Sequence, residues 1–415
     1  MPSPPARSHP FSLLVKPAGP DCNLRCDYCF YLDHASMFGA SRRHRMSAPV
    51  LETMIRSYMA TSQPQYAFGW QGGEPTLMGT DFFQRVTELQ QQYGPRGASV
   101  SNGLQTNGTL LDDALSEHLA KFHFLVGISI DGPAELHNHF RHAAGNTDAH
   151  ALVMQGLERL RLHAVEFNVL TLVSQANVSA PETVYHYLRD ELGVRYHQYI
   201  ECVEFDAGGT LRPFAVSAGQ WGDFLTRIFD LWYADDTRKV SVRSFDTLLA
   251  KLVDNAEITC AAGRDCRQYF VVEHNGDIFP CDFHVDPEWR LGNVAGENWE
   301  TLWHSPVFER FGQRKREWHQ TCSSCPYLRF CHGDCPKNRT PSTGGPGSRG
   351  LSHLCAGWQR FYRHALPRLE DLAQDIRHER RAAAMNRIAS RETPPGRNSP
   401  CPCGSGRKFK HCCGA

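Results

Sequence analysis

The sequence predicts an α/β fold: a parallel sheet curling into a partial (β/α)6 barrel, a cysteine-rich domain behind it, and a small metal-binding tail. Short apolar runs alternate with amphipathic helical patterns about six times before residue 240, as strand–helix units that pair in parallel do. From Thr259 to Trp358 long helical patterns become scarce and cysteines frequent. Residues 1–240 therefore read as the barrel and residues 241–390 as a second domain, closed by a helix from about residue 359 to 390. Residues 391–400, rich in Pro, Gly and Ser, read as a linker to a separate unit over 401–415.

Residues 11–17 form a short buried strand, so the cysteines that follow lie at a strand end, where α/β folds place function. Ser47 is placed to cap a helix with Pro49 in its first turn and Val50, Leu51, Met54, Ile55 and Tyr58 along one face. A strand over 66–70 runs into Gln71-Gly72-Gly73-Glu74-Pro75, where paired glycines let a ligand approach the backbone and Glu74 offers a carboxylate. Strands over 98–106, 124–131, 165–173 and 196–203 are followed by helices over 112–121, 149–162, 181–192 and 218–234. In the second domain, Asn275-Gly276 between two short apolar runs marks a hairpin. No fixed-period repeat is present.

Lys and Arg together number 44, as do Asp and Glu, so the net charge is zero with histidine neutral. That balance argues against nucleic acid or an anionic membrane as partner. No stretch approaches the roughly 20 apolar residues of a membrane helix, and the N-terminus lacks a signal-type apolar run. A soluble, cytoplasmic, monomeric protein is expected. Sixteen cysteines, mostly in short spacings, then point to metal rather than to disulfides.

Cys22-x3-Cys26-x2-Cys29 reads as three ligands for one iron–sulfur cluster, the alternative being a zinc site short of one ligand. Three thiolates on a four-iron cube leave one iron open to a second molecule. This spacing, with Tyr28 before the last cysteine, resembles the signature of the radical S-adenosylmethionine enzymes. The resemblance implies that the open iron is chelated by S-adenosylmethionine and that a 5′-deoxyadenosyl radical abstracts hydrogen from the substrate. It further implies that Gly72, Gly73 and Glu74 hold the methionine amino group. Ser129, in Ile128-Ser129-Ile130-Asp131, and Arg141 are implied to hold the carboxylate and ribose, with Tyr28 and Val203 offering backbone or apolar contacts to the adenosine.

A second set, Cys260, Cys266, Cys281, Cys322, Cys325, Cys331, Cys335 and Cys355, supplies eight thiolates, enough for two fully ligated four-iron clusters. Zinc is the rival for such spacings. The pattern resembles the SPASM domain of peptide-modifying radical enzymes, which implies one auxiliary cluster on Cys260, Cys266, Cys281 and Cys335 and another on Cys322, Cys325, Cys331 and Cys355. Three [4Fe-4S] clusters are then expected in all. Cys202 fits neither set and reads as a buried thiol.

A narrower resemblance, over roughly residues 11–369, is to the anaerobic sulfatase-maturating enzymes. It adds Leu104-Gln105-Thr106-Asn107-Gly108-Thr109, Asp131-Gly132-Pro133, Phe279-Pro280-Cys281-Asp282-Phe283 and Trp289-Arg290-Leu291-Gly292-Asn293 to the motifs above. It implies oxidation of a cysteine or serine in an unfolded sulfatase segment to Cα-formylglycine, with a flavodoxin or ferredoxin as electron donor. After hydrogen abstraction from Cβ, the substrate must lose an electron and its thiol or hydroxyl a proton, so a base and an electron acceptor are needed side by side. The family places its base at Asp282, directly after Cys281; without the resemblance, Asp282 is an acidic residue at a hairpin end. The tail, Cys401-x-Cys403-x8-Cys412-Cys413, resembles the SEC-C motif and offers four soft ligands for a structural zinc, with His411 able to replace one. That unit is expected to dock a partner rather than to catalyse. Two other readings stand beside this one: a radical maturase that crosslinks a different ribosomal peptide, and a non-catalytic zinc-binding adaptor.

Overall fold

The computed structural model describes residues 9–38, 43–206, 208–340, 350–392, 396–401 and 405–412. Its strands are β1 (Ser12–Lys16), β2 (Leu24–Cys26), β3 (Tyr66–Trp70), β4 (Val100–Thr106), β5 (Leu125–Ser129) and β6 (Arg141–Ala143). There follow β7 (Phe167–Val173), β8 (Tyr196–Glu201), β9 (Ser241–Val242), β10 (Tyr269–Glu273), β11 (Asp277–Phe279) and β12 (Gly292–Asn293). One sheet runs in the order β12-β11-β10-β1-β3-β4-β5-β7-β8-β9, parallel from β10 to β9. The six strands expected for the barrel are its centre. Helices Ala48–Met59, Thr80–Tyr93, Asp113–Lys121, Ala149–Leu162 and Pro181–His186 connect them, and Ala218–Asp235 leads on from β8 to β9. Parallel strands require such crossovers, and the helices cover the sheet through faces such as Leu51, Met54, Ile55 and Tyr58. Ser47 occupies the cap position of the first of these helices, but its side chain makes no capping hydrogen bond.

Two features go beyond the sequence pattern. A short helix, Ala134–Asn138, and strand β6 interrupt the fourth strand–helix unit, and β6 pairs antiparallel with β2, so that Cys26 lies opposite Arg141. The hairpin of β10 and β11, turning at Asn275-Gly276 with Gly276 at φ 86°, does not form a sheet of its own. Instead β10 pairs in parallel with β1, placing Glu273 opposite Lys16. The cysteine-rich segment is thereby hydrogen-bonded to the strand that leads into Cys22.

Compact units are formed by residues 1–248 with 257–365, and by residues 249–256 with 366–415. The first holds the sheet and all eleven cysteines of the two cluster sets. In the second, Arg377 donates to the Leu252 carbonyl at 2.8 Å and Arg380 pairs with Asp254 at 2.7 Å. There the backbone amide of Cys401 donates to the carbonyl of Arg407, and Ser405 Oγ lies 3.2 Å from Cys412 Sγ. Cys403 and Cys413 lie outside the described residues. No described helix is long and apolar enough to cross a membrane.

Candidate active site

The ends of β1, β3, β4, β5 and β8 open into one cavity of about 290 Å³, close to the lower bound of small-molecule sites at roughly 300 Å³. Cys22, Cys26 and Cys29 line it together with Gly72, Gly73, Ser129, Arg141 and Asp282. Sheet order explains the meeting: β1 carries the cysteine loop and β3 the glycine turn. The hairpin beyond β10 brings Asp282 from more than 250 residues away.

The glycine turn is latched to the cysteine loop. Gly73 N–H donates to the Gly19 carbonyl at 2.8 Å and Glu74 N–H to that of Asp21 at 2.7 Å. A Cβ on Gly73 would stand 2.0 Å from the Asp21 carbonyl oxygen, and Gly72 has φ +126°, so neither position accepts a side chain without backbone movement. Glu74 does not line the cavity. Its buried carboxylate accepts from Thr76 N–H, Thr76 Oγ1, Thr106 Oγ1 and Asn107 N–H at 2.6–2.9 Å, fixing the turn to the end of β4. Burial raises its pKa above the ordinary carboxylate value despite those bonds.

Arg141 and Tyr28 converge on Asp131, a residue that opens one of the resemblance motifs but has no role of its own there. Arg141 Nε donates to Asp131 Oδ2 at 2.8 Å and Nη2 to Oδ1 at 3.2 Å; Tyr28 Oη donates to Oδ2 and Leu172 N–H to Oδ1. Burial opposes ionisation of Asp131, yet the Arg141 guanidinium outweighs it and holds the carboxyl below the ordinary 3.8. Arg141 thus reaches the cavity as half of a buried ion pair. Ser129 Oγ, at the end of β5, accepts from Gln105 at 3.2 Å. Val203 is fully buried and does not line the cavity, whereas its neighbours Cys202 and Glu204 do; its carbonyl accepts from Lys337 Nζ at 2.6 Å. Cys202 is the buried thiol expected, 2% exposed, its pKa pushed up to about 12 by burial.

Asp282 is held through both oxygens: Gln71 Nε2 donates to Oδ2 at 3.1 Å and Tyr269 Oη to Oδ1 at 3.0 Å. Cys281 Sγ lies 3.6 Å from Oδ1, so the expected base adjoins an expected cluster ligand in space as well as in sequence. Phe283 packs on Phe30 with ring centroids 4.7 Å apart and closes the wall beside it.

No described cysteine is in a disulfide. Burial and the Glu74 carboxylate push the Cys22 thiol up to about 11, and burial carries Cys26 to about 12 against the pull of Arg141. Buried thiols of this kind ionise when a cation binds them, as iron does. Cys322, Cys325, Cys331 and Cys355 line a second cavity. Burial pushes the thiols of Cys266, Cys281 and Cys335 up, and Cys260 adds to the rise at Cys266 and Cys335, as Cys335 does at Cys281. Thiols spread around a cavity match a multi-iron cluster. Two buried cations brace these loops. Lys315 donates to the carbonyls of Ala261 and Asp334, and Arg339 to those of Gly333, Arg314, Glu317 and Lys315. Neither was signalled in the sequence, since a lone basic residue between cysteines has no distinguishing pattern.

Residues 17–188 match the radical SAM superfamily, residues 260–326 the iron-sulfur cluster-binding domain SPASM, and residues 397–415 the SEC-C motif. The serine-type anaerobic sulfatase-maturating enzyme of Bacteroides thetaiotaomicron is 34% identical over 391 residues, covering 90% of this chain and 94% of its own. A cysteine-type anaerobic sulfatase-maturating enzyme of Clostridium perfringens is 33% identical over 372 residues, covering 89% of this chain and 100% of its own. The solved structure of native anSMEcpe with bound AdoMet and Cp18Cys peptide matches with a TM-score of 0.81 at 33% identity, over 89% of this chain and 100% of that one. With the cysteine sets, the glycine turn and Asp282 gathered as described, this chain belongs to the family of anaerobic sulfatase-maturating enzymes.

Proposed function

We propose that this chain oxidises a cysteine or serine of an unfolded sulfatase segment to Cα-formylglycine. The observation that carries the reading is that one cavity is lined both by Cys22, Cys26 and Cys29 and by Asp282. Cys22, Cys26 and Cys29 would hold one [4Fe-4S] cluster, and the two auxiliary sets two more. Gly72, Gly73, Ser129 and Arg141 would hold S-adenosylmethionine, with Tyr28 and the Val203 backbone near its adenosine and Glu74 supporting the turn from behind. When bound, these groups supply a 5′-deoxyadenosyl radical that takes a hydrogen atom from the substrate Cβ.

The chain's own part is positioning and proton transfer. Asp282 takes the proton of the substrate thiol or hydroxyl, its oxygens aimed by Gln71 and Tyr269. Because Cys281 lies against Asp282, proton and electron can leave the substrate on the same side. Phe30, Phe283 and Leu172 give the cavity apolar walls, which would keep water from the reacting carbon. Serine-type and cysteine-type relatives match this chain at 34% and 33% identity, so similarity favours neither substrate. A flavodoxin or ferredoxin is the electron donor in this reading, the protein is a cytoplasmic monomer, and Cys401, Cys403, Cys412 and Cys413 bind a structural zinc.

The test is anaerobic incubation of the reduced holoprotein with S-adenosylmethionine and sulfatase peptides carrying either cysteine or serine, read by mass spectrometry. The reading predicts an aldehyde on at least one peptide together with 5′-deoxyadenosine. A crosslink on another peptide with no aldehyde would move the chain to a different maturase reaction. A colourless protein holding only zinc would refute both.

A further inference from the structure

Several polar side chains that line the cavity around Asp282 already have partners. Gln71 and Tyr269 donate to Asp282 itself, and Tyr31 Oη contacts both oxygens of the buried Glu273 at 2.6 and 2.7 Å. Lys337 is bound to Glu204 and the Val203 carbonyl, and Arg141 to Asp131. Lys16, the last residue of β1, lines the same cavity and is 1% exposed. Among the described residues its ammonium makes neither a hydrogen bond nor an ion pair; it rests on the Tyr31 ring, 3.5 Å from the centroid.

A ring face balances part of the charge but accepts no conventional hydrogen bond. A buried ammonium with open N–H groups is costly until an acceptor reaches it. The sheet indicates where that acceptor comes from. β1 lies between β10, whose hairpin leads to Asp282, and β3, which leads to Gln71. From β1 to β5, which carries Ser129, is three strand intervals, about 14 Å along the sheet. Lys16 therefore belongs to the side of the cavity where the substrate's proton is taken. A thiol or hydroxyl that gives its proton to Asp282 keeps lone pairs needing a donor, and Gln71, Tyr269, Tyr31, Lys337 and Arg141 are already engaged.

We propose that Lys16 is a substrate-positioning residue whose ammonium donates a hydrogen bond to the sulfur or oxygen of the side chain that Asp282 deprotonates. This rests on the reaction proposed above. Oxygen is the stronger acceptor, so the contact favours a serine substrate over a cysteine one.

The experiment is a binding cycle on the anaerobic holoenzyme with S-adenosylmethionine and no reductant. Sulfatase peptides carrying serine, cysteine or alanine at the target position are titrated by fluorescence anisotropy against wild type, Lys16→Met and Lys16→Arg. Wild type is expected to bind the serine peptide about tenfold more tightly than the alanine peptide, as a charge-assisted hydrogen bond gives. Lys16→Met loses the difference, and Lys16→Arg keeps part of it. Iron content and circular dichroism check folding; if Lys16→Met does not fold, Lys16→Gln takes its place. A serine-over-alanine preference that survives removal of the ammonium overturns the proposal. So does a fall in S-adenosylmethionine affinity with that preference intact, which would assign the ammonium to the methionine carboxylate. The two readings fail separately. Wild type giving no aldehyde from either peptide refutes the reaction, whereas aldehyde formation with an unchanged preference in Lys16→Met refutes only the role of Lys16.

Discussion

Asp131→Asn tests the wall of the radical site at nearly constant volume. Asp131 accepts four hydrogen bonds on two oxygens, from Tyr28, Leu172 N–H and two nitrogens of Arg141. Asparagine has a single acceptor oxygen and turns its own N–H groups toward donors, leaving the 9%-exposed guanidinium without a counter-charge. Breaking one side of a buried pair costs about 3–5 kcal/mol. At about 2 °C per kcal/mol for a large domain, the unfolding midpoint should fall by roughly 8 °C in calorimetry of the anaerobic holoprotein. Iron at the radical cluster and S-adenosylmethionine affinity should fall with it, because Tyr28 and Arg141 both line the cavity. Combining Arg141→Met with Asp131→Asn removes the stranded charge and should recover part of the loss. The pH dependence has a definite sign. The folded pKa of Asp131 lies below its ordinary 3.8, so its contribution is complete above that value and is lost as pH falls through the folded value. The gap between wild type and Asp131→Asn should therefore narrow in acid below about pH 3.8. An Asp131→Asn midpoint within about 1 °C of wild type at neutral pH would refute the assignment of Asp131 as the organising residue.

Gly73→Ala drives a methyl group to 2.0 Å from the Asp21 carbonyl oxygen, so 5′-deoxyadenosine production should collapse while iron on the auxiliary cysteines is retained; full production would show the latch to be unimportant. Asp282→Asn should keep all iron and still cleave S-adenosylmethionine, with aldehyde formation reduced by roughly 10²–10⁴-fold in a peptide assay. Unchanged turnover would remove Asp282 from the mechanism. Deleting residues 391–415 should abolish zinc binding and leave peptide oxidation intact in vitro, with any loss confined to maturation in cells; a slowed peptide reaction would give the tail a part in catalysis.

The regular elements were legible where their signal is local. The strand over 66–70 and the helix over 149–162 coincide with Tyr66–Trp70 and Ala149–Leu162, because apolar periodicity and flanking turns are written within each segment. The pairing of β6 with β2 and of β10 with β1 was not legible, since each joins short strands more than 100 residues apart and an apolar run does not name its neighbour. The same distinction divides the site. Cysteine spacing is a local signal, so both cysteine sets could be picked out as candidate ligands from the sequence alone. Asp131, Gln71, Tyr269 and Lys16 are ordinary residue types whose roles arise from what the sheet brings beside them. Asp131 offered one usable hint: a carboxylate at a strand end, two residues after Ser129 and directly before Gly132-Pro133. Arg141 was singled out, but its buried partner could not be.

Isotope transfer tests the central claim most directly, namely that this cavity removes a hydrogen atom from the Cβ of a cysteine or serine beside Asp282. The holoenzyme is incubated with a sulfatase peptide deuterated only at that Cβ, and the 5′-deoxyadenosine is analysed by mass spectrometry alongside the peptide. The account predicts deuterium in the 5′-deoxyadenosine and an aldehyde on the same peptide. Unlabelled 5′-deoxyadenosine accompanying aldehyde formation, or label transferred only from a peptide deuterated at Cα, would contradict it.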